Sequence, residues 1–224
     1  MKVLIVTWQS GGASQPALRL GRMLAARGHR VRILAPAVYA SRVEAAGCDL
    51  APLPPEAEFD PSLGRAMEEQ GPFLMETFYG HALVDAVAAE PADIVVSDFL
   101  LRSVACSLEQ RAVPAVQLIH TMFRFHGATA DDSWTMRYDS VNGVRTELGL
   151  ESLPAGPDAV SVALVRRAAA GLVVMPREFD PWPDAPSNVV HVGPVFEEAE
   201  APDWDSPWPA DDPRPLVVVT MGTT

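Results

Sequence analysis

Two side chains that could exchange protons follow apolar runs typical of buried strands. Asp98 comes directly after the run 94–97, and His120 comes directly after the run 115–119. Parallel strands carry their ligand sites outside their carboxyl ends, so both residues are expected at one edge of a sheet. An imidazole can accept a proton near neutral pH, and a carboxylate can orient the imidazole or a water molecule. The alternatives are that Asp98 caps the next helix and that His120 is a loop histidine bonded to backbone.

These residues need a scaffold of alternating strands and helices, and the hydrophobic pattern predicts one. Apolar, β-branched runs predict strands at 3–7, 31–34, 50–53, 94–97, 115–119, 171–175 and 189–192. Helices are expected at 16–27, 39–46, 72–89, 100–111 and 157–169, with 121–140 irregular. Ser14 or Gln15 would cap the first helix, with Pro16 at its first position. The predicted fold is α/β, a Rossmann-like doubly wound and mostly parallel sheet of about seven strands with helices on both faces.

Composition and charge limit the kinds of partner that the protein is expected to bind and the cellular compartment in which it is expected. The 224 residues carry a formal net charge of −12, which argues against nucleic acid as a partner. The two cysteines, Cys48 and Cys106, lack metal-ligand or redox spacing and predict two inert, reduced thiols. The N-terminal apolar run is too short for a signal peptide, and no segment approaches the length of a membrane span. We therefore expect a cytoplasmic protein without a membrane span, a metal or a cofactor.

The last part of the chain predicts a domain boundary. Residues 197–214 are rich in Pro, Asp and Trp, as expected of a solvated linker. A strong apolar run follows at 215–220 and predicts a buried parallel strand, whose two faces need covering helices. We therefore expect one domain at 1–196, a linker at 197–214, and the first strand and loop of a further domain at 215–224. The alternative is a natural C-terminal strand.

Several motifs occur in the order typical of one enzyme family. They are the opening run 3–7 with Gly11-Gly12, the segments 15–18 and 26–31, the segment 142–150 with the pattern N-x-x-R-x-x-L-G-L, the segment 191–195, and the segment 214–224. The ordered set resembles bacterial glycosyltransferases of the GT-B fold, above all those that decorate glycopeptide, macrolide and enediyne antibiotics. The resemblance covers the whole chain.

The resemblance implies two Rossmann-like domains that face a cleft. The first would bind a hydrophobic aglycone as acceptor, and the second a nucleotide-sugar donor, which is a co-substrate. Gly222, Thr223 and Thr224 would belong to the donor site, whose other motifs would lie past residue 224, so this chain alone is expected not to transfer sugar. The acceptor would contact a loop and an apolar set consisting of Trp8, Ser10, Gly11, Gly12, Ala13, Phe73, Phe78, Tyr79, Met122, Phe123, Phe125 and Trp134. A plain tight turn at Gly11-Gly12 and core packing of the aromatic residues are the alternatives.

The resemblance also exposes a departure at Ala13. Family members that glycosylate a hydroxyl group use an inverting displacement, with a His or Asp base at this position before Pro16. Another residue could serve as base, the acceptor could need no strong base, or the protein could be inactive. We favour His120 as base with Asp98 orienting it; His81 and His126 are weaker candidates. The rival functions are a catalytically silent homologue that binds an aglycone or a partner protein, and an unrelated nucleotide-binding domain.

Overall fold

The computed structural model describes residues 1–9, 11–53, 79–124, 138–154, 160–195 and 208–209. The strands are β1 Lys2–Val6, β2 Arg30–Ala35, β3 Asp49–Pro52, β4 Ile94–Asp98, β5 Ala115–Ile119, β6 Ala170–Val173 and β7 Val189–His191. The helices are α1 Gly11–Ala26, α2 Ala40–Ala45, α3 Tyr79–Ala89, α4 Arg102–Arg111, α5 Tyr138–Glu147 and α6 Val160–Val165, with a 3₁₀ turn at Ala37–Tyr39. The expected linker lies almost entirely outside these residues, and the segment 215–224 lies wholly outside them.

The strands form one seven-stranded sheet in the order β3-β2-β1-β4-β5-β6-β7, and every neighbouring pair is parallel. The chain winds outward from β1 in one direction and from β4 in the other. The point of reversal lies between β1 and β4, where open α/β sheets form their ligand crevice. The predicted fold class, a Rossmann-like sheet of about seven parallel strands, is confirmed.

Helices cover both faces of the sheet, as the near-continuous apolar strands require. Val3 and Ile5 of β1 pack on one face together with Leu18 of α1. Leu4 and Val6 point to the opposite face and pack with residues of α3 and α4. This alternation follows from the period of two in a strand, and it settles which side chains at the strand ends share a face.

Helix α1 begins earlier than the sequence pattern predicts. The expectation that Ser14 or Gln15 caps the helix and that Pro16 opens it was wrong, because the helix begins at Gly11 and contains Pro16. A proline inside a helix lacks the N–H that would bond to the carbonyl of Gly12. Burial of Ala13 and its neighbours against the sheet offsets this loss. The glycine pair, expected in a loop, therefore forms the first turn of α1.

Helix α5 is a second departure, because 121–140 was expected to be irregular and the N-x-x-R motif was not assigned to a helix. Arg145 is buried and donates two hydrogen bonds to the Glu109 carboxylate of α4, at 2.7 and 3.0 Å, and one to the carbonyl of Glu151. The hydrogen bonds from Arg145 hold the pKa of Glu109 below its usual value. Asn142 bonds both to the N–H and to the carbonyl of Leu153. The motif braces α5 against α4.

Both thiols are free and buried. Burial raises the pKa of each to about 11, so both stay protonated at neutral pH. Among the helices that the structure describes, none combines the length and the apolar character needed to cross a bilayer.

Substitution of Gly171 tests the packing of the sheet. A Cβ at this position of β6 would lie 2.9 Å from Cγ1 of Val165, 3.2 Å from Cδ1 of Ile119 and 3.2 Å from Cγ2 of Val189. Gly171→Ala should therefore lower the free energy of unfolding by about 1–3 kcal/mol. Gly143→Ala is the matched control, because nothing lies within 4 Å and alanine favours its helix by up to about 1 kcal/mol. Urea unfolding that ranks the two variants the other way would contradict this packing.

Candidate active site

Three neighbouring strands bring polar side chains to one edge of the sheet. In the parallel register Val6 pairs with Ser97, and Asp98 pairs with Leu118. Thr7 therefore leaves β1 beside Asp98, and His120 leaves β5 on the other side of it. The edge is the one formed by the carboxyl ends of β1, β4 and β5, at the point where the strand order reverses.

Asp98 and His120 are in contact. Nδ1 of His120 lies 2.9 Å from Oδ2 of Asp98, with 13% of the His120 side chain and 2% of the Asp98 side chain exposed. The distance suits an ion pair, although the contact lacks the alignment of a good hydrogen bond. The other oxygen, Oδ1, accepts the N–H of Leu100 at 2.9 Å. The N-cap residue of α4 is Leu101 rather than Asp98. The Asp98 carboxylate therefore stabilises the turn that precedes the helix.

Burial and charge act in opposite directions on His120. Burial is the larger single influence and lowers its pKa, because it disfavours the imidazolium form. The negative charge of Asp98 and the contact with Nδ1 both raise the pKa, and together they outweigh burial. The pKa of His120 therefore lies above its ordinary value. In the neutral ring the proton belongs on Nδ1, facing the carboxylate, which leaves Nε2 as the proton acceptor.

The free edge of the His120 ring faces the first turn of α1. A Cβ built on Gly12 would lie 3.9 Å from Cδ2 of His120, the ring carbon bonded to Nε2. The ring of Phe99 supports the imidazole in an edge contact with centroids 5.5 Å apart. The N–H groups that open a helix lack intrahelical partners and carry partial positive charge. Cδ2, the carbon bonded to Nε2, is therefore the ring atom that lies near this partial positive charge.

Ala13 belongs to this same turn and is 1% exposed. Its methyl group packs into the protein, and alanine offers no group that accepts a proton. The imidazole of His120 instead approaches the turn from β5.

The remaining residues predicted for the acceptor site, the donor site and the base lie in different places. Met122 is 46% exposed beside the site. Trp8 is partly buried on the face of the sheet that α3 and α4 cover, and its buried Nε1 has no hydrogen-bond partner among the described residues. Phe123 and Tyr79 are buried in the core, Phe123 against Phe99 and Tyr79 on the same face as Trp8. Outside the described residues lie Ser10, Phe73, Phe78, Phe125, His126, Trp134, Gly222, Thr223 and Thr224. His81 is exposed on α3.

Sequence reasoning did not select Thr7 and Phe99. Thr7 is buried at the site edge, and its hydroxyl oxygen has no hydrogen-bond partner in the described part of the chain. The sequence signal for Thr7 is its position at the end of the first apolar run, 3–7. No local sequence pattern around Phe99 indicates that its ring will pack against the imidazole of His120, which follows a different strand.

No family model and no curated protein matches the chain. Solved structures match closely in shape. The glycotransferase of kitacinnamycin superposes with a TM-score of 0.69 at 23% identity, over 92% of this chain and 55% of that one. The calicheamicin glycosyltransferase CalG4 gives 0.66 at 22% identity, over 93% and 54%.

A plant structure, Arabidopsis thaliana UGT89C1 complexed with UDP-L-rhamnose, gives a TM-score of 0.62 at 14% identity, over 89% of this chain and 53% of that one. The chain thus spans about half the length of the structures that it matches. These similarities define the fold as the Rossmann-like N-terminal half of the GT-B architecture. The particular proteins that share it include the glycotransferase of kitacinnamycin and the calicheamicin glycosyltransferase.

The Asp98–His120 pair should make stability depend on pH. The pKa of His120 is higher in the folded state than its ordinary value of 6.5, so protonation favours folding. This stabilisation is complete below the unfolded pKa and is lost as the pH rises through the folded pKa. His120→Gln should therefore cost more unfolding free energy at about pH 5.5 than at about pH 9. Urea unfolding at both pH values measures this; equal costs would contradict the pairing. His81→Gln controls for the loss of an exposed histidine.

Proposed function

We propose that this chain is the acceptor-binding domain of an inverting glycosyltransferase. The enzyme would move a sugar from a nucleotide-sugar donor to a hydroxyl group of a hydrophobic natural product. The observation that carries the proposal is the His120–Asp98 contact of 2.9 Å at the carboxyl edge of the central strands, with Cδ2, the ring carbon bonded to Nε2, facing the first turn of α1. The shared fold with glycosyltransferases of kitacinnamycin and calicheamicin supports it.

In the proposed reaction His120 is the general base. Nε2 of the neutral ring accepts the hydroxyl proton while the acceptor oxygen forms its bond to the anomeric carbon. The bond from that carbon to the nucleoside diphosphate breaks on the opposite face, and the electron pair leaves with the diphosphate. Asp98 stabilises the imidazolium that results. A positioned base of this kind typically contributes about 10²–10⁴-fold to the rate.

The position of this base accounts for the alanine at position 13. In the family the base stands in the segment that here forms the first turn of α1. Here the imidazole comes from the end of β5, and its Cδ2 lies near Gly12, the neighbour of Ala13. A base supplied from β5 would make a base at position 13 unnecessary.

The acceptor would lie on the exposed surface next to this edge. Met122 offers apolar contact area there. Pockets of this type combine mostly apolar walls with a few polar groups that fix orientation.

Substitution at the pair tests the role of the base. In the protein that carries both domains, His120→Gln should lower kcat by about 10²-fold or more, and Asp98→Asn should lower it less, with little change in the acceptor KM. In the unaltered enzyme kcat/KM should rise with pH through the pKa of His120, above 6.5, because only the neutral ring accepts a proton. This rise should vanish in His120→Gln.

The matched control is His81→Gln, which removes an exposed histidine and should leave kcat unchanged. Full activity in both pair variants would show that neither residue is the base. An acceptor that needs little deprotonation would then be the better explanation. An unaltered protein that binds aglycone and donor but transfers no sugar would identify a silent homologue.

Calorimetry on the 224-residue chain tests the division of labour between the domains. The chain should bind a flat or macrocyclic hydrophobic aglycone weakly and should show no measurable heat with a nucleotide sugar. The reason is that the proposed donor site lies mainly in the second domain. Tight binding of a nucleotide sugar to this chain alone would overturn the proposed assignment.

A further inference from the structure

A second Asp–His pair lies behind the turn that follows His120. Asp180, in the connection between β6 and β7, is only 2% exposed. Its Oδ2 accepts the N–H of Phe123 at 3.1 Å, and its Oδ1 accepts the N–H of Arg124 at 3.0 Å. Nε2 of His191, on β7, lies 3.2 Å from Oδ2. One carboxylate thus holds two consecutive backbone amides from a segment 57 residues away in sequence.

The held segment directly continues from the candidate base. The chain passes from His120 through Thr121 and Met122 into the amides that Asp180 holds. Arg124 adds a hydrogen bond from its guanidinium to the carbonyl of Pro181, at 3.1 Å. The backbone on the carboxyl side of His120 is therefore tied to the β6–β7 connection.

A series of aromatic contacts also links the β6–β7 connection to His120. Trp182, close to Asp180 in sequence, contacts Phe123 with ring centroids 5.5 Å apart. Phe123 contacts Phe99 at right angles with centroids 6.3 Å apart, and Phe99 contacts the ring of His120. Rotation of Phe123 out of place would therefore remove support from the imidazole.

A buried carboxylate is costly unless hydrogen bonds satisfy it. The two amides and His191 do so, and each bond fixes a direction as well as compensating for lost water. A carboxylate that accepts two adjacent amides holds them like a helix N-cap, in one geometry. Such a clamp suits the preorganisation that a general base requires, since a misplacement of about 1 Å can cost 10²-fold in rate.

We propose that Asp180 is a positioning residue for His120: it clamps the Phe123–Arg124 amides so that the imidazole stays on Asp98, and His191 holds the clamp in place. The catalytic consequence rests on the proposed function of His120. The positioning itself can be measured without any substrate.

The test compares Asp180→Asn with Asp184→Asn. An amide keeps one acceptor oxygen and turns an NH₂ group toward a backbone N–H, so one of the two amide bonds is lost. Asp184 lies in the same connection and is exposed, so its substitution removes the same charge without touching the clamp. The ring resonances of His120 are identified by their loss in His120→Gln and are followed by NMR across pH on the 224-residue chain. Asp180→Asn should lower the pKa of His120, because a loosened contact with Asp98 leaves burial to dominate; Asp184→Asn should not.

In the protein that carries both domains, Asp180→Asn should lower kcat about tenfold or more with little change in the acceptor KM. His191 supplies a second pair of variants in case Asp180→Asn does not fold. His191→Gln retains a side-chain N–H near the position of Nε2 and should preserve the His120 titration, whereas His191→Ala should shift it downward.

Two results would overturn the proposal. The first is an Asp180→Asn chain that is less stable but shows the same His120 titration and kcat as Asp184→Asn, since Asp180 would then be purely structural. The second, which decides the question if Asp180→Asn does not fold, is an identical His120 titration in His191→Gln and His191→Ala. A shifted titration alongside full activity of His120→Gln would instead support the clamp and refute His120 as base.

Discussion

The parallel register of β1, β4 and β5 is the constraint on which the candidate site depends. Val96 and Leu118 pack on the α1 face of the sheet, and alternation along β4 puts the Asp98 side chain on the same side. A slip of one residue between β4 and β5 would turn one partner to the opposite face. The buried apolar residues on both faces penalise such a slip, because it would exchange the two cores. The hydrophobic packing of the sheet therefore also fixes the distance between carboxylate and imidazole.

Buried charge is handled in the same way at both ends of the segment 120–124. Asp98 accepts a backbone N–H with one oxygen, and its other oxygen lies 2.9 Å from an imidazole nitrogen. Asp180 binds two backbone N–H groups and an imidazole. Neither carboxylate has a lysine or arginine partner within ion-pair distance in the described part of the chain, so hydrogen-bond donors and histidines replace the lost water. The segment that carries the candidate base is thereby held from both sides.

The first turn of α1 shows how packing overrides local preference. Pro16 is favoured at the start of a helix and disfavoured inside one, yet α1 extends back to Gly11. The extension buries Ala13 and brings the backbone of Gly12 next to the His120 ring. A Cβ at position 12 would make an ordinary van der Waals contact with the ring, at 3.9 Å from Cδ2. The early start of α1, which local capping preferences do not predict, therefore places the backbone of Gly12 beside the candidate site.

The amino-acid sequence by itself determined the seven strands up to residue 192 and their succession along the chain, because apolar periodicity within a short window decides which segments form a buried sheet. It also placed Asp98 and His120 at strand ends, and hence at one edge, because parallel strands all end on the same side. It did not determine the start of α1, the helical state of the segment from Tyr138, or the burial of Phe123. Those depend on contacts with segments distant in sequence. Only the tertiary structure decided that Nδ1 of His120 meets Asp98, that Phe99 supports the ring, and that Asp180 holds the next turn. Such contacts depend on register and side-chain orientation, which no local pattern encodes.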